Sequence, residues 1–348
     1  MNFNRKDVAI DNSWGKRLQE TSYNIHGKIL LKEVNSRRLF KYLKYFLISN
    51  GQLDADVTVI LTNKEDYFKP IGDYINLGRF IIQDRSLVEC RKFGKMKIEN
   101  LLDKTKIYIT RGYAMVRDLV NLVHDIIWIK LITKNMSFIH AACVSNNEEG
   151  YILNAWMGTG KTITTLKLIK LNKFNFLADD MTIIDDKGNC FAYPLPIKLG
   201  LEHSEIINIP RKVKLRLMLG KTIEKIPIVR RSFDNKWYVS IDKVLNREVI
   251  RHKAKISKVL IVKKAKRDYI RPISNEDAIK VLLHQNLWER ISLTDRVFIP
   301  YSFADPGFDL NDIVKKEEEV IRKAISSAEC LEIGYRDKAY DIICKCLT

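Results

Sequence analysis

Residues 151–165 read Y-I-L-N-A-W-M-G-T-G-K-T-I-T-T, and this stretch constrains the fold more than any other. An apolar run at Tyr151, Ile152 and Leu153 stops at Asn154, and a loop with two glycines follows. Lys161 and Thr162 then open a helical pattern carried by Leu166, Leu168 and Ile169. Strand, glycine-bearing loop and helix in that order make a phosphate cradle. Successive backbone N–H groups and the positive end of the helix dipole face an anion. Gly158 and Gly160 let the backbone approach phosphate oxygens without a Cβ in the way. The expected nucleotide contacts are therefore Ala155, Trp156, Met157, Gly158, Thr159, Gly160, Lys161, Thr162 and Ile163. Lys161 supplies positive charge to the β- and γ-phosphates, and Thr162 a hydroxyl for Mg²⁺. The form is A-x-x-x-x-G-K-T, with Ala155 where the usual pattern has its first glycine.

A pair of acids, Asp179 and Asp180, interrupts the apolar run F-N-F-L-A-D-D-M-T-I-I over 174–184. The chain from Lys161 to Asp179 is long enough for one helix and most of a returning strand. Carboxylates among Phe, Leu, Ala, Met and Ile are costly unless cations or donors meet them. On a continuous strand they point to opposite faces, so they share a site only if the strand ends or bulges there. Two jobs suit them: one carboxylate can serve Mg²⁺ together with Thr162, and the other can take a proton from an attacking hydroxyl. His140, in the apolar stretch F-I-H-A-A-C-V-S at 138–145, is a third candidate. The other histidines (26, 124, 203, 252, 284) share no ligand spacing, so no metal beyond Mg²⁺ is expected.

Composition bounds the rest. The 348 residues, 46% hydrophobic and 29% charged, describe a globular chain of about two domains. No run is apolar for long enough to span a bilayer, the N-terminus lacks a signal-peptide core, and six scattered cysteines suggest reduced thiols in a cytoplasm. The net charge is +18, and residues 211–271 hold 20 Lys/Arg against five acids. Either this is a solvated basic face or it receives an acidic partner, nucleic acid included.

Along the chain, residues 1–134 read as a smaller mixed α/β region, structural or substrate-selecting. Strands are expected at 29–31, 57–61 and 106–110, and a hairpin joins 79–82 to 86–90. Helical spacing covers 36–46, Asn50-Gly51 marks a turn, and 117–132 has an amphipathic helical pattern. Residues 135–348 read as the nucleotide domain. Strands at 138–145 and 151–154 form a hairpin, a helix follows at 161–171, and later strands fall at 213–219, 237–241, 258–262 and 330–333. Helices are expected at 275–290, 313–328 and 338–346.

F-I-H-A-A-C-V at 138–144, the loop at 155–162, F-L-A-D-D at 176–180 and Y-P-L-P-I-K-L at 193–199 together resemble the HPr kinase family. The resemblance is firm over about 136–200, faint over 255–335 and absent over 1–130. It implies a phosphoenolpyruvate-carboxykinase-like P-loop domain with a mixed sheet. The implied activity is transfer of the γ-phosphoryl of ATP to a serine-like hydroxyl of a peptide, protein or small molecule. On that resemblance Asp179 is the base, Asp180 the metal-side partner with Thr162, and His140 a neighbour of the phosphates. Lys161 and a further basic residue, Lys198 or Arg230-Arg231, are expected to converge on the γ-phosphate. Ala155 and Trp156 depart from the family pattern, and its downstream glycine- and arginine-bearing segment is missing. A divergent member fits better than a bifunctional HPr kinase/phosphorylase. The family's habit of oligomerising admits a homo-oligomer. Two rivals stand beside this reading: an RNA-directed kinase or RNA-binding ATPase using 211–271, and a non-catalytic nucleotide-binding switch.

Overall fold

A computed structural model of the chain describes residues 20–36, 39–48, 54–116, 119–223, 236–245, 247–290 and 294–347. They form a mixed α/β protein with two large mixed sheets. The chain divides into two compact units, one running to Asn135 and taking in Leu287–Glu317, the other holding Met136–Asn286 and Glu318 onward. The sequence reading kept 135–348 together; residues 287–317 instead pack with the first unit.

The sheet of the first unit runs Leu47–Ile48, Glu20–Ile25, Ile29–Val34, Val57–Leu61, Thr105–Ile109, Gly94–Glu99, Ser86–Arg91, Phe80–Gln83 and Ile75–Leu77. Val57–Leu61 is parallel to both neighbours, and the other pairs are antiparallel. The expected amphipathic helix is Leu119–Thr133, and it is not amphipathic. Its buried residues run without a gap from Leu122 to Ile132, His124, Asp125 and Lys130 included, as in a helix packed on all sides. Trp128 Nε1–H donates to Glu317 Oε1 at 3.1 Å. Arg290 forks onto the same carboxylate at 2.7 and 2.8 Å and stacks 3.9 Å from the Trp128 ring centroid. The stretch expected to be helical over 36–46 yields a 3-10 helix at Lys41–Phe46, and the Asn50-Gly51 turn lies outside the described residues.

In the second unit, Glu149–Ala155 is buried from Gly150 onward. It lies between its antiparallel hairpin partner Ala142–Asn146 and the parallel strand Lys253–Lys264. Lys253–Lys264 is also parallel to Glu329–Tyr335, which Tyr269–Pro272 edges antiparallel. Near-continuous apolar strands of this kind are what a parallel layer buried on both faces requires. Helices Lys161–Asn172 and Ala339–Leu347 pack on these strands and on each other. Asn189–Phe191 links the start of Lys253–Lys264 to Thr182–Asp185, which pairs with Met136–Ile139.

Two expected strands are broken. The stretch 138–145 bends at His140-Ala141, between Met136–Ile139 and Ala142–Asn146; the run 174–184 bends at 179–181, between Asn175–Ala178 and Thr182–Asp185. The bends oppose each other. Ile139 pairs with Thr182 on one side of them and Cys143 with Ala178 on the other, and Thr182 Oγ1 bridges the gap to the Ala141 carbonyl at 2.8 Å. A third correction concerns V-K-L-R-L-M-L, expected as a strand over 213–219, which lies within the helix Arg211–Ile223. Its alternation of apolar and basic residues imitates a strand, but Leu217 and Gly220, one helical turn apart, are the residues buried among 211–220. Among the described residues no helix is long and apolar enough to cross a membrane.

Candidate functional site

The loop from Trp156 to Gly160 leaves the C-terminal end of Glu149–Ala155 and enters the Lys161–Asn172 helix. Gly158 and Gly160 both sit at φ +82°, in the left-handed region where a side chain is strained. A Cβ on Gly158 would point into open space, whereas one on Gly160 would press on Ile163 Cγ2 at 3.3 Å. Gly160 is the residue before the helix, and its carbonyl accepts from Thr164 N–H at 2.9 Å. The loop is braced from within by Thr159, whose hydroxyl donates to the Trp156 carbonyl at 2.6 Å. Ala155 is buried at the strand end, while Trp156 and Met157 turn their side chains outward. Ile163 is half-buried on the first turn of the helix.

The two opposed bends bring the acids and His140 to this loop. Thr162 Oγ1 donates to Asp179 Oδ2 at 2.8 Å. Asp180 Oδ1 stands 3.6 Å from Lys161 Nζ and 3.4 Å from His140 Nε2. The strand does end at Ala178, which is the condition under which both carboxylates can serve one site. Burial lifts the Asp179 carboxyl to about 6, with Asp180 pushing the same way and Lys161 and the Thr162 hydroxyl opposing. Asp179 Oδ1 and Lys161 Nζ are buried with no hydrogen-bond partner among the described residues.

No family model matches the chain, and no curated protein matches it.

Several residues that hold the site drew no attention in the sequence. Asn286 accepts from the His140 backbone N–H at 2.8 Å and donates to the Phe138 carbonyl at 2.9 Å. Asn154 donates to the His140 carbonyl at 3.1 Å. These amides satisfy main-chain groups that the break at His140 takes out of the ladder. Gln285 donates to the Ala155 carbonyl at 3.2 Å, and Tyr335 Oη–H to the Thr159 carbonyl at 2.9 Å. A signal existed: Gln285 and Asn286 lie three and four residues after Leu282, on the buried stripe of the helix Asn275–Arg290. Two amides on an apolar helical stripe ask for partners.

Lys198 is exposed on Ile197–Leu199, a strand of a separate two-stranded ribbon, with its ammonium 5.5 Å from the Tyr238 ring centroid. Arg230 and Arg231 lie outside the described residues. Among the described residues no group of three or more His, Cys, Asp or Glu could hold a metal ion. Mg²⁺ does not need one, since it is commonly held by one or two carboxylates with phosphate oxygens and waters completing its octahedron. The Lys161 ammonium and the Asp179 oxygen, neither hydrogen-bonded among the described residues, fit a nucleotide with its cation together with the Thr162 hydroxyl and the glycine loop.

Proposed function

We propose that the chain is an ATP-dependent phosphotransferase with a phosphoenolpyruvate-carboxykinase-like P-loop domain, a divergent relative of the HPr kinases. Its acceptor is a serine-like hydroxyl on a peptide, protein or small molecule. One observation carries the reading: Lys161 Nζ, at the helix start after the glycine loop, and Asp179 Oδ1, whose partner oxygen takes the Thr162 hydrogen bond, are both buried without a hydrogen bond among the described residues. A buried cation and a buried carboxylate oxygen in this state are costly unless a ligand completes them.

ATP·Mg²⁺, when bound, supplies the transferable phosphoryl group and the metal charge that offsets its oxygens. The residues do the rest. The backbone N–H groups of 158–162 and the Lys161 ammonium bind phosphate oxygens. Thr162 and one carboxylate hold the cation. A carboxyl lifted to about 6 by burial is matched to accepting a proton from a hydroxyl near neutral pH. His140 stands beside Asp180 with its backbone fixed by Asn286 and Asn154. We assign the base to Asp179 and the metal side to Asp180. The 2.8 Å contact of Thr162 with Asp179 favours a second reading, in which the two acids exchange roles.

The test is transfer of label from γ-labelled ATP with Mg²⁺ to free serine, serine-ended peptides, cell protein and cell RNA, with Asp179→Asn alongside. Label in a hydroxyl-bearing peptide, protein or small-molecule pool, lost in the variant, supports the proposal. ATP binding without transfer to any pool overturns it in favour of a switch, and label confined to RNA overturns the acceptor class.

A further inference from the structure

The helix Arg211–Ile223 turns Leu217 and Gly220 inward and leaves its opposite face in water. On that face Leu215, Met218 and Leu219 form a continuous stripe, each more than half exposed at 59%, 53% and 59%. At about 100° per residue the three fall within one sector of the helix, with Arg211 between them. Lys212 borders the stripe on one side and Lys214 on the other. Arg211, Lys212 and Lys214 are exposed and have no acidic partner among the described residues. An exposed aliphatic stripe framed by cations has the composition of an interaction surface.

We infer that this face docks an acidic amphipathic helical segment of a peptide or protein partner. Charge complementarity selects the occupant. A second copy of this chain would set Arg and Lys against Arg and Lys, which like-charge repulsion opposes. Single-stranded RNA is held by phosphate contacts and by bases stacked on aromatic rings, and the described face has Leu and Met where rings would be needed. A membrane surface calls for large apolar side chains along a whole helix face, often with aromatic residues; among the described side chains the exposed stripe spans Leu215 to Leu219 and has no aromatic ring. A partner helix with apolar residues at i, i+3, i+4 and i+7 matches the stripe, and Glu or Asp on its borders meets the three cations. This inference stands independently of whether the P-loop transfers phosphate.

The probe is a labelled synthetic peptide of about 18 residues, Leu at that spacing and Glu elsewhere, titrated against the full chain by fluorescence anisotropy. Saturable binding is expected, weakened about tenfold or more by Lys212→Glu with Lys214→Glu, and as much by Leu215→Ser with Leu219→Ser. Both pairs change exposed side chains, and unaltered circular dichroism and thermal unfolding check that the fold survives. Absence of binding to the unaltered chain overturns the inference. So does binding indifferent to the Leu substitutions, which is charge attraction alone. Tighter binding of an equally long oligouridylate, or of phosphatidylserine vesicles, overturns it in favour of those partners.

Discussion

The Thr162 hydroxyl donates a 2.8 Å hydrogen bond to Asp179 Oδ2, joining the first helical turn after the glycine loop to the bend that ends Asn175–Ala178. The same bend sets Asp180 against Lys161 and His140. Adjacent acids thereby meet different partners, and that difference separates their expected roles.

Asp179→Asn is expected to lower phosphoryl transfer by about 10²- to 10⁴-fold, the usual worth of a positioned base, while nucleotide affinity stays close to that of the unaltered chain. Asp180→Asn is expected to raise the Mg²⁺ concentration needed for half-maximal transfer. Titrating Mg²⁺ in both variants checks the assignment. If Asp179→Asn carries the Mg²⁺ defect and Asp180→Asn the loss of transfer, the roles are exchanged.

Gly160→Ala places a side chain at φ +82° with Ile163 Cγ2 3.3 Å away. Left-handed backbone costs a residue with a Cβ about 1–2 kcal/mol, so the variant should unfold at lower temperature. Gly158→Ala has the same φ but open space around its new methyl, so its loss should be the smaller of the two. Thermal unfolding of the pair without nucleotide measures the difference. Equal losses would mean that the Ile163 contact costs nothing.

A pH effect is expected in the first unit as well. Glu33 is fully buried and accepts from Tyr23 Oη–H at 3.1 Å and from Phe40 N–H at 2.7 Å. Burial nevertheless dominates and raises its carboxyl from 4.5 to about 7. The folded state therefore holds this proton more tightly than the unfolded chain does. Stability from this group is fully present below pH 4.5 and is lost as pH rises toward 7, by on the order of 3 kcal/mol. Denaturant unfolding of Glu33→Gln should lack that slope. A difference between the two proteins that stays constant from pH 4.5 to 7 would count against it.

Glu317 is fully buried between Arg290 and the Trp128 indole N–H. Glu317→Leu alone takes the buried carboxylate away from Arg290 and should cost about 3–5 kcal/mol. Pairing it with Arg290→Met removes both charges and should recover most of that loss. Urea unfolding of the single and double variants reads the coupling, and additive losses would mean that the pair is not acting as a unit.

The strand, loop and helix around Lys161 were legible because glycine spacing and hydrophobic period are local signals. The helix Asn275–Arg290 was legible to the residue, since Ser274 and the acids that follow it mark its start and the apolar period carries it onward. The break at His140 was not. No glycine or proline marks it, and the group that stabilises it, the Asn286 carboxamide, comes from a helix 146 residues later. The convergence of Asp179 and Asp180 was legible only as a condition, that the strand end there; residues 174–184 do not reveal where it ends. The helix at 211–223 was misread because alternating Lys/Arg and Leu gives a period of two whether or not a sheet exists. The unbroken burial of 122–132 was hidden by Asp125 and Lys130, whose polarity suggested an exposed face.

The opposed bends at 140–141 and 179–181 work like the jaws of a caliper. Ladder pairing resumes on both sides of them, so neither jaw can slide along its strand without dragging a paired segment out of register. The spacing of His140 from Asp180 is thus set by counting residues, not by the chemistry of the two side chains. Substitutions nearby can be absorbed by repacking. Removal of a single residue between Met136 and Ile139 would force either the pairing with Thr182–Asp185 out of register or His140 away from Asp180, with every side chain of the site still in the chain.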